Sequence, residues 1–266
     1  MSASGFVMSC REEFVKIPSA GFELAGVLHL PIGATKPKPV LFLHGFTGNK
    51  VEAGRMYTDM ARVLCAAGYA SLRFDSRCHG DSPLPFEEYR ISYAIEDARN
   101  AANFLKNLTS IDDLRFAIIG LSMGGGVAVN LAANRDDIAA LVLLSPALDW
   151  PELTSILSQR KVEGDYVYMG PPGSPSPRLY RMKINCATEM MKLSVMGLAE
   201  LIKAPTLIIH AIDDVVIPIS QAKRFFERLK VEKKFIEIEH GGHVFEDYDT
   251  RRRIEKEILD WLKQYF

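Results

Sequence analysis

Short, nearly continuous apolar runs alternate with helical patterns through most of this chain, and that alternation is its strongest constraint on fold. The runs fall at residues 40–43, 70–74, 115–119, 140–144, 206–209 and 235–238. Runs of this length without an exposed face suit parallel strands buried on both sides. Apolar residues at helical spacing predict helices over 57–67, 92–108, 123–134, 220–229 and 251–265. Strand and helix in turn imply right-handed crossovers, hence a mainly parallel sheet with helices on both faces. Two earlier runs, 13–17 and 22–30, are predicted to pair antiparallel about Pro18-Ser19-Ala20-Gly21. Sheets of this kind bind ligands beyond the carboxyl ends of their strands.

One stretch breaks the rhythm. About sixty residues separate the strand ending near Ser145 from the one starting at Thr206, too many for a simple crossover. The stretch opens with Pro151 at a helix start and contains a turn-rich tract, Gly170-Pro171-Pro172-Gly173-Ser174-Pro175-Ser176-Pro177, and the pair Met190-Met191. Its aromatics and methionines argue against a disordered linker. The reading is a core made of residues 1–147 and 201–266, with residues 148–200 inserted as a cap over the sheet's ligand-binding edge.

The formal net charge of -1 gives no general attraction to nucleic acid or to anionic membranes. The basic cluster Arg251-Arg252-Arg253 is interleaved with Asp247, Asp249, Glu255 and Glu257, which reads as a solvated helix face. No run approaches the length of a membrane span, and the first residues lack a basic region followed by an apolar core. Cys10, Cys65, Cys78 and Cys186 are scattered without metal-ligand spacing, and Cys65 sits in an apolar helix pattern as a small packing residue. Together these features predict a reducing, cytoplasmic setting with no metal.

Chemistry enters at Gly120-Leu121-Ser122-Met123-Gly124, which joins the apolar run 115–119 to a small-residue helix. A serine on a sharp strand-to-helix turn is the layout of a nucleophile elbow. The flanking glycines have a mechanical reason, because a Cβ two residues either side of the serine meets the neighbouring strand or helix. Ser122 is the candidate nucleophile.

A serine hydroxyl needs a base, and the base needs an acid to hold it. Of six histidines, His29, His44, His79 and His210 lie in or before strands or ahead of the elbow. His240 and His243 remain, in Glu239-His240-Gly241-Gly242-His243 after the last strand. His243 lies past the two glycines, on the loop itself, and is the candidate base; His240 sits at the strand end as a structural residue. The acid is expected at the end of the strand over 206–209, where Asp213 and Asp214 are adjacent. They point in different directions, so only one can orient an imidazole.

On these residues the chain resembles the α/β-hydrolases over nearly its whole length. His44-Gly45-Phe46 resembles their oxyanion loop, Gly120 to Gly124 their elbow, and Gly241-Gly242-His243 their histidine loop. Their acid motif commonly reads His-Gly-x-x-Asp-x-x-Val-Pro. Aligned with it, His210 begins the motif, Ala211 replaces Gly, Asp214 is the acid and Ile217-Pro218 closes it. The resemblance implies an α/β-hydrolase fold, with a mostly parallel eight-stranded sheet, helices on both faces and an inserted cap. It also implies an oxyanion hole from the backbone N–H groups of Phe46 and Met123, with His44 buttressing the loop. Asp75-Ser76-Arg77-Cys78-His79-Gly80-Asp81-Ser82 resembles the family's Asp-x-Arg-Gly-x-Gly-x-Ser loop, with Cys78 where glycine is usual. That loop is read as bracing the site, and no base is placed to make Cys78 a nucleophile.

Within the family, the segments around residues 44–50 and 73–82 look most like small carboxylesterases, with feruloyl (cinnamoyl) esterases and monoacylglycerol lipases as relatives. What this implies is hydrolysis of a small-molecule, short-chain or aromatic acyl ester through an acyl-enzyme on Ser122, without a cofactor. Trp150, Tyr166 and Tyr168 are candidate substrate-binding residues, with cap core as the alternative for each. No strongly amphipathic lid of a long-chain lipase is visible, and a dehalogenase needs aspartate at the elbow. A serine aminopeptidase or acyl-peptidase of the same fold is the enzymatic alternative, with Glu152, Glu163, Asp165 or Glu189 to hold a free amine. A non-catalytic hydrolase-fold binding protein is the alternative of a different class. Exposed strand edges and the cap also admit a homodimer.

Overall fold

The computed structural model describes residues 9–108, 115–153, 162–169 and 178–266. The hairpin forms from β1 (Cys10–Ser19) and β2 (Phe22–Pro31), closed by Ala20 and Gly21, both at positive φ. Two left-handed residues match the right-handed twist of the strands they join. Then come β3 (Pro39–Leu43), α1 (Met56–Ala66), β4 (Ala70–Phe74), α2 (Ile91–Lys106), β5 (Phe116–Leu121), α3 (Met123–Ala133) and β6 (Ile138–Leu144). The eight-stranded sheet resumes with β10 (Thr206–Ala211), followed by α5 (Ile219–Arg228), β11 (Lys233–Ile238) and α6 (Tyr248–Tyr265). The eight-stranded sheet runs in the order β1-β2-β4-β3-β5-β6-β10-β11. β2 is antiparallel to both neighbours, and every pairing from β4 to β11 is parallel.

Alternation along the strands divides the core into two layers. Leu41, Ile118, Leu141 and Ile208 face α2, α3 and α5, while Val40, Ile119, Val142 and Ile209 face α1 and α6. β3 to β6 are buried on both faces, which is why they carry no polar alternation. Helices observed at both faces complete the α/β-hydrolase arrangement expected from the sequence.

Between β6 and β10, β7 (Val162–Glu163), β8 (Tyr166–Met169) and β9 (Tyr180–Lys183) form a small antiparallel sheet, followed by α4 (Ile184–Met190). The tract 170–177 lies outside the described residues. Ion pairs fasten this unit to the core: Arg181–Glu87, Lys183–Glu88 and Arg90–Glu189. Among the described residues no helix is long and apolar enough to cross a membrane.

The cysteines depart from expectation. Cys65, read as a small packing residue, is bonded to Cys10, with their Cα atoms 6.0 Å apart. Helical periodicity sees that Cys65 points into the core but not that β1 crosses α1 there. The pair removes one ground for expecting a reducing compartment.

The elbow explains its glycines by contact. A Cβ on Gly124 would lie 2.0 Å from the Leu43 carbonyl oxygen, and one on Gly120 would lie 2.4 Å from the Gly124 carbonyl oxygen. Both obstacles are backbone, which cannot swing away. Gly124→Ala is therefore expected to cost roughly 2–4 kcal/mol, read as a thermal midpoint lower by about 5–10 °C. Thiol titration of the denatured, unreduced protein is expected to find only Cys78 and Cys186, and all four cysteines after reduction.

Candidate active site

Ser122 stands alone between β5 and α3 with φ 52 and ψ -117. Residues with a Cβ avoid this region, so the conformation persists only where its surroundings over-determine it. Here the Ser122 N–H donates to the Leu144 carbonyl at 2.9 Å, and the Ser122 carbonyl accepts from Gly125 and Ala147, each at 2.9 Å. The peptide is held from β6, from α3 and from the loop that follows β6.

The structure brings Ser122, His243 and Asp214 together. Ser122 Oγ lies 2.9 Å from His243 Nε2, and His243 Nδ1 lies 2.8 Å from Asp214 Oδ2. A carboxylate only accepts, so Nδ1 carries the proton and Nε2 is left bare toward the serine hydroxyl. The other carboxylate oxygen accepts the backbone N–H groups of Val216 at 2.8 Å and Ile217 at 3.0 Å. Burial pushes the Asp214 carboxyl up, but the imidazoles of His210 and His243 and the Ile217 N–H outweigh it and hold the group well below the usual carboxylate range. A depressed folded-state pKa gives stability that is present above the ordinary carboxylate range and is lost as pH falls through and below it. Asp213 acts elsewhere. Its Oδ1 accepts Gly241 N–H at 3.0 Å and Gly242 N–H at 2.9 Å, which folds the histidine loop back over the sheet. His240 faces solvent, its side chain 84% exposed.

The candidate oxyanion donors come from two elements that Gly124 allows to touch. Met123 opens α3, so its N–H is one of that helix's unpaired N-terminal donors. Phe46 follows β3, and its N–H takes no partner among the described residues. His44 braces this loop: its Nδ1 hydrogen bonds the Gly45 carbonyl at 2.8 Å, and its Nε2 accepts the Ser76 N–H at 3.1 Å.

Of the three candidate substrate-binding residues, Trp150 reaches the site. It is buried, with its ring 6.1 Å from that of Phe46. Tyr166 and Tyr168 share one face of β8 and lie under the guanidinium groups of Arg181 and Arg178, at 4.7 and 4.0 Å. None of their described contacts reaches Ser122 or His243. Cys78 keeps the left-handed conformation of the glycine it replaces, at φ 69, and is buried. Burial pushes its thiol up to about 12, which leaves it protonated and a poor nucleophile. Among the described residues no group of three or more His, Cys, Asp or Glu side chains is gathered to hold a metal ion.

A model of the alpha/beta hydrolase family matches residues 40–253, and the chain belongs to that family. A quorum-quenching protein, AidA, of Acinetobacter baumannii is 32% identical over 137 residues, which span 51% of this chain but only 44% of that relative. A thermostable monoacylglycerol lipase of Bacillus sp. is 25% identical over 243 residues, 85% of this chain and 91% of the lipase. Among solved structures, Est1E of Butyrivibrio proteoclasticus with bound ferulic acid superposes with a TM-score of 0.80. That likeness covers 94% of this chain and 99% of Est1E at 24% identity, and it is a likeness of fold. A monoacylglycerol lipase is thus among the chain's relatives, and Est1E among its structural neighbours.

Several supporting side chains escaped the sequence reading. Glu52 Oε1 accepts the Gly45 N–H at 2.6 Å from behind the loop, and burial pushes its carboxyl up. Lys50 Nζ donates to Asp75 and to Asp81, each at 2.6 Å, while the Lys50 backbone N–H donates to Asp75 Oδ1 at 2.6 Å. The loop after β3 is thereby tied to the loop after β4. Asp75 is fully buried and Asp81 is 79% exposed at the side chain, so the two halves of this pairing differ in worth. Asp75→Asn is expected to cost about 3 kcal/mol by leaving the Lys50 ammonium with exposed Asp81 as its one counter-ion among the described residues, and Asp81→Asn less than about 1 kcal/mol. Denaturant unfolding of both variants measures the difference.

Proposed function

We propose that this chain is a serine carboxylesterase that hydrolyses short-chain or aromatic acyl esters through an acyl-enzyme on Ser122. The observation that carries the reading is the unbroken relay from Ser122 Oγ to His243 Nε2 at 2.9 Å and from His243 Nδ1 to Asp214 Oδ2 at 2.8 Å. In this reading Ser122 attacks the ester carbonyl while His243 takes its proton, and Asp214 holds the imidazolium that forms. The developing oxyanion meets the N–H groups of Phe46 and Met123; one such donor is worth about 3 kcal/mol of transition-state stabilisation. His243 then protonates the leaving alcohol and activates the water that releases the acid.

The acyl preference rests on aromatic rings beside the candidate oxyanion loop. Phe46 lies within 5.5 Å of Phe86, 5.7 Å of Tyr89 and 6.1 Å of Trp150, ring centre to ring centre. A flat acyl group packs favourably against such a wall. The ferulic acid held by Est1E and the ester chemistry of the lipase relative are of the same kind. We read residues 148–200 as the cap that covers this wall, with Trp150 as its contact to the loop.

The peptidase alternative needs a carboxylate free to hold an amine. Glu152, Glu163 and Glu189 each pair with an arginine, Arg224, Arg178 and Arg90 respectively. Asp165, the fourth candidate, has no ion pair among the described residues, so the pairing weakens the peptidase reading at three of its four carboxylates.

The test is hydrolysis of p-nitrophenyl acetate, butyrate, octanoate and palmitate and of methyl ferulate, by the native protein and by Ser122→Ala. Turnover of the short or aromatic esters is expected, with a loss of at least about 1,000-fold in the variant. Turnover that survives Ser122→Ala would remove Ser122 from the mechanism. Inertness toward all five esters, with cleavage of aminoacyl amides, would move the chain to the peptidases.

A further inference from the structure

His210 begins the acid motif without being one of the three relay residues. It lies in β10, fully buried, four residues before Asp214. Its Nε2 is 3.0 Å from the Ile217 carbonyl oxygen and 3.2 Å from Asp214 Oδ2. A carbonyl oxygen can only accept, so the proton of the neutral ring must be on Nε2. Nδ1 is buried without a hydrogen-bond partner among the described residues, so the opposite tautomer has nothing to donate to. The Nε2–H thus points at the Ile217 carbonyl, and its positive end faces the carboxylate.

That placement closes a ring of contacts around the turn. Asp214 Oδ1 accepts the N–H groups of Val216 and Ile217, while His210 takes the Ile217 carbonyl and faces Oδ2. The N–H and the carbonyl of one residue, Ile217, are thereby both used to fix the carboxylate. With two backbone donors on Oδ1 and the His210 N–H facing Oδ2, the carboxylate is left directed toward His243. His210 also withdraws charge from Oδ2, the same oxygen that holds His243 Nδ1 at 2.8 Å.

From this geometry we infer that His210 is a positioning residue, which sets the orientation of Asp214 and limits how strongly Asp214 holds the protonated form of His243. The inference rests on the reading of Ser122, His243 and Asp214 as a catalytic relay. The other charged and titratable groups around the pair are Asp213, occupied by Gly241 and Gly242, and exposed His240, 3.8 Å from Asp213. Glu52 and His44 lie behind the Gly45 turn, and Glu237 on β11 is paired with Lys223 at 2.9 Å. None of them touches Oδ2.

The test compares His210→Leu, which removes the N–H, with His210→Gln, which can return one near the position of Nε2. A carboxylate relieved of that N–H holds an imidazolium more tightly. In His210→Leu the acid limb of the kcat/KM profile is expected to move to higher pH by about half a unit. kcat is expected to fall about 10-fold, with KM within about 2-fold. His210→Gln is expected to recover most of both. A limb that stays in place, or equal losses in the two variants, would reduce His210 to a packing residue and overturn the inference. The rate at which a fluorophosphonate labels Ser122, followed against pH, gives the same readout without an ester. Failure of ester turnover therefore counts against the proposed function and leaves this inference to its own test. Should His210→Leu not fold, imidazole nitrogen NMR of the native protein decides: a proton on Nε2 supports the inference, and a proton on Nδ1 overturns it.

Discussion

The rest of the site depends on one close approach, that of the α3 N-terminus to the end of β3. Gly124 sits so near the Leu43 and His44 carbonyls that no Cβ fits between them. Because of that contact, the N–H of Met123 and the loop that carries Phe46 belong to the same small volume as Ser122. The strained serine is a consequence of the same packing. A residue at φ 52 is not stable alone, and it is fixed here by hydrogen bonds from β6, α3 and Ala147. The serine thus draws its geometry from the interior of the sheet, where nothing can relax.

Around this point the protein uses buried polar groups as fasteners, each satisfied in more than one direction. Asp75 joins the loops after β3 and β4, Asp213 curls the histidine loop, and Asp214 receives two backbone donors besides two imidazoles. The buried histidines serve as neutral acceptors where their surroundings demand it. Burial pushes His79 down to about 3 and His29 down to about 4, so each keeps a bare nitrogen for a neighbouring donor, Thr47 N–H and Arg73 Nε respectively. Such networks stiffen loops that apolar packing alone would leave mobile.

The segment between β6 and β10 is attached by different physics. It meets the core through ion pairs at residues 87–90 and through a few buried side chains, among them Trp150, Met182, Cys186 and Met190. Partly exposed ion pairs are individually weak and sensitive to salt. The segment from Trp150 to Met190 is thus joined to the sheet end by contacts weaker than those that fix the loops around Ser122.

Much of this architecture was determined by local pattern. The apolar runs, the hairpin before them and the helical spacings are properties of neighbouring residues, so each of these elements is observed within a few residues of its expected bounds. Pattern marked Ser122 and His243 as candidates because a strained turn needs glycines beside the serine, and a loop past the last strand needs them before the histidine. Choosing Asp214 over Asp213 required a resemblance, since adjacent carboxylates look alike until their neighbours are known. What only the tertiary structure decided involves partners far apart in the chain. Examples are Cys10 with Cys65, Glu52 behind Gly45, Lys50 between Asp75 and Asp81, and arginines on Tyr166 and Tyr168. The physical reason is one of range. Periodicity reports which face of an element is buried, whereas the identity of the group across from it is set by how the elements cross.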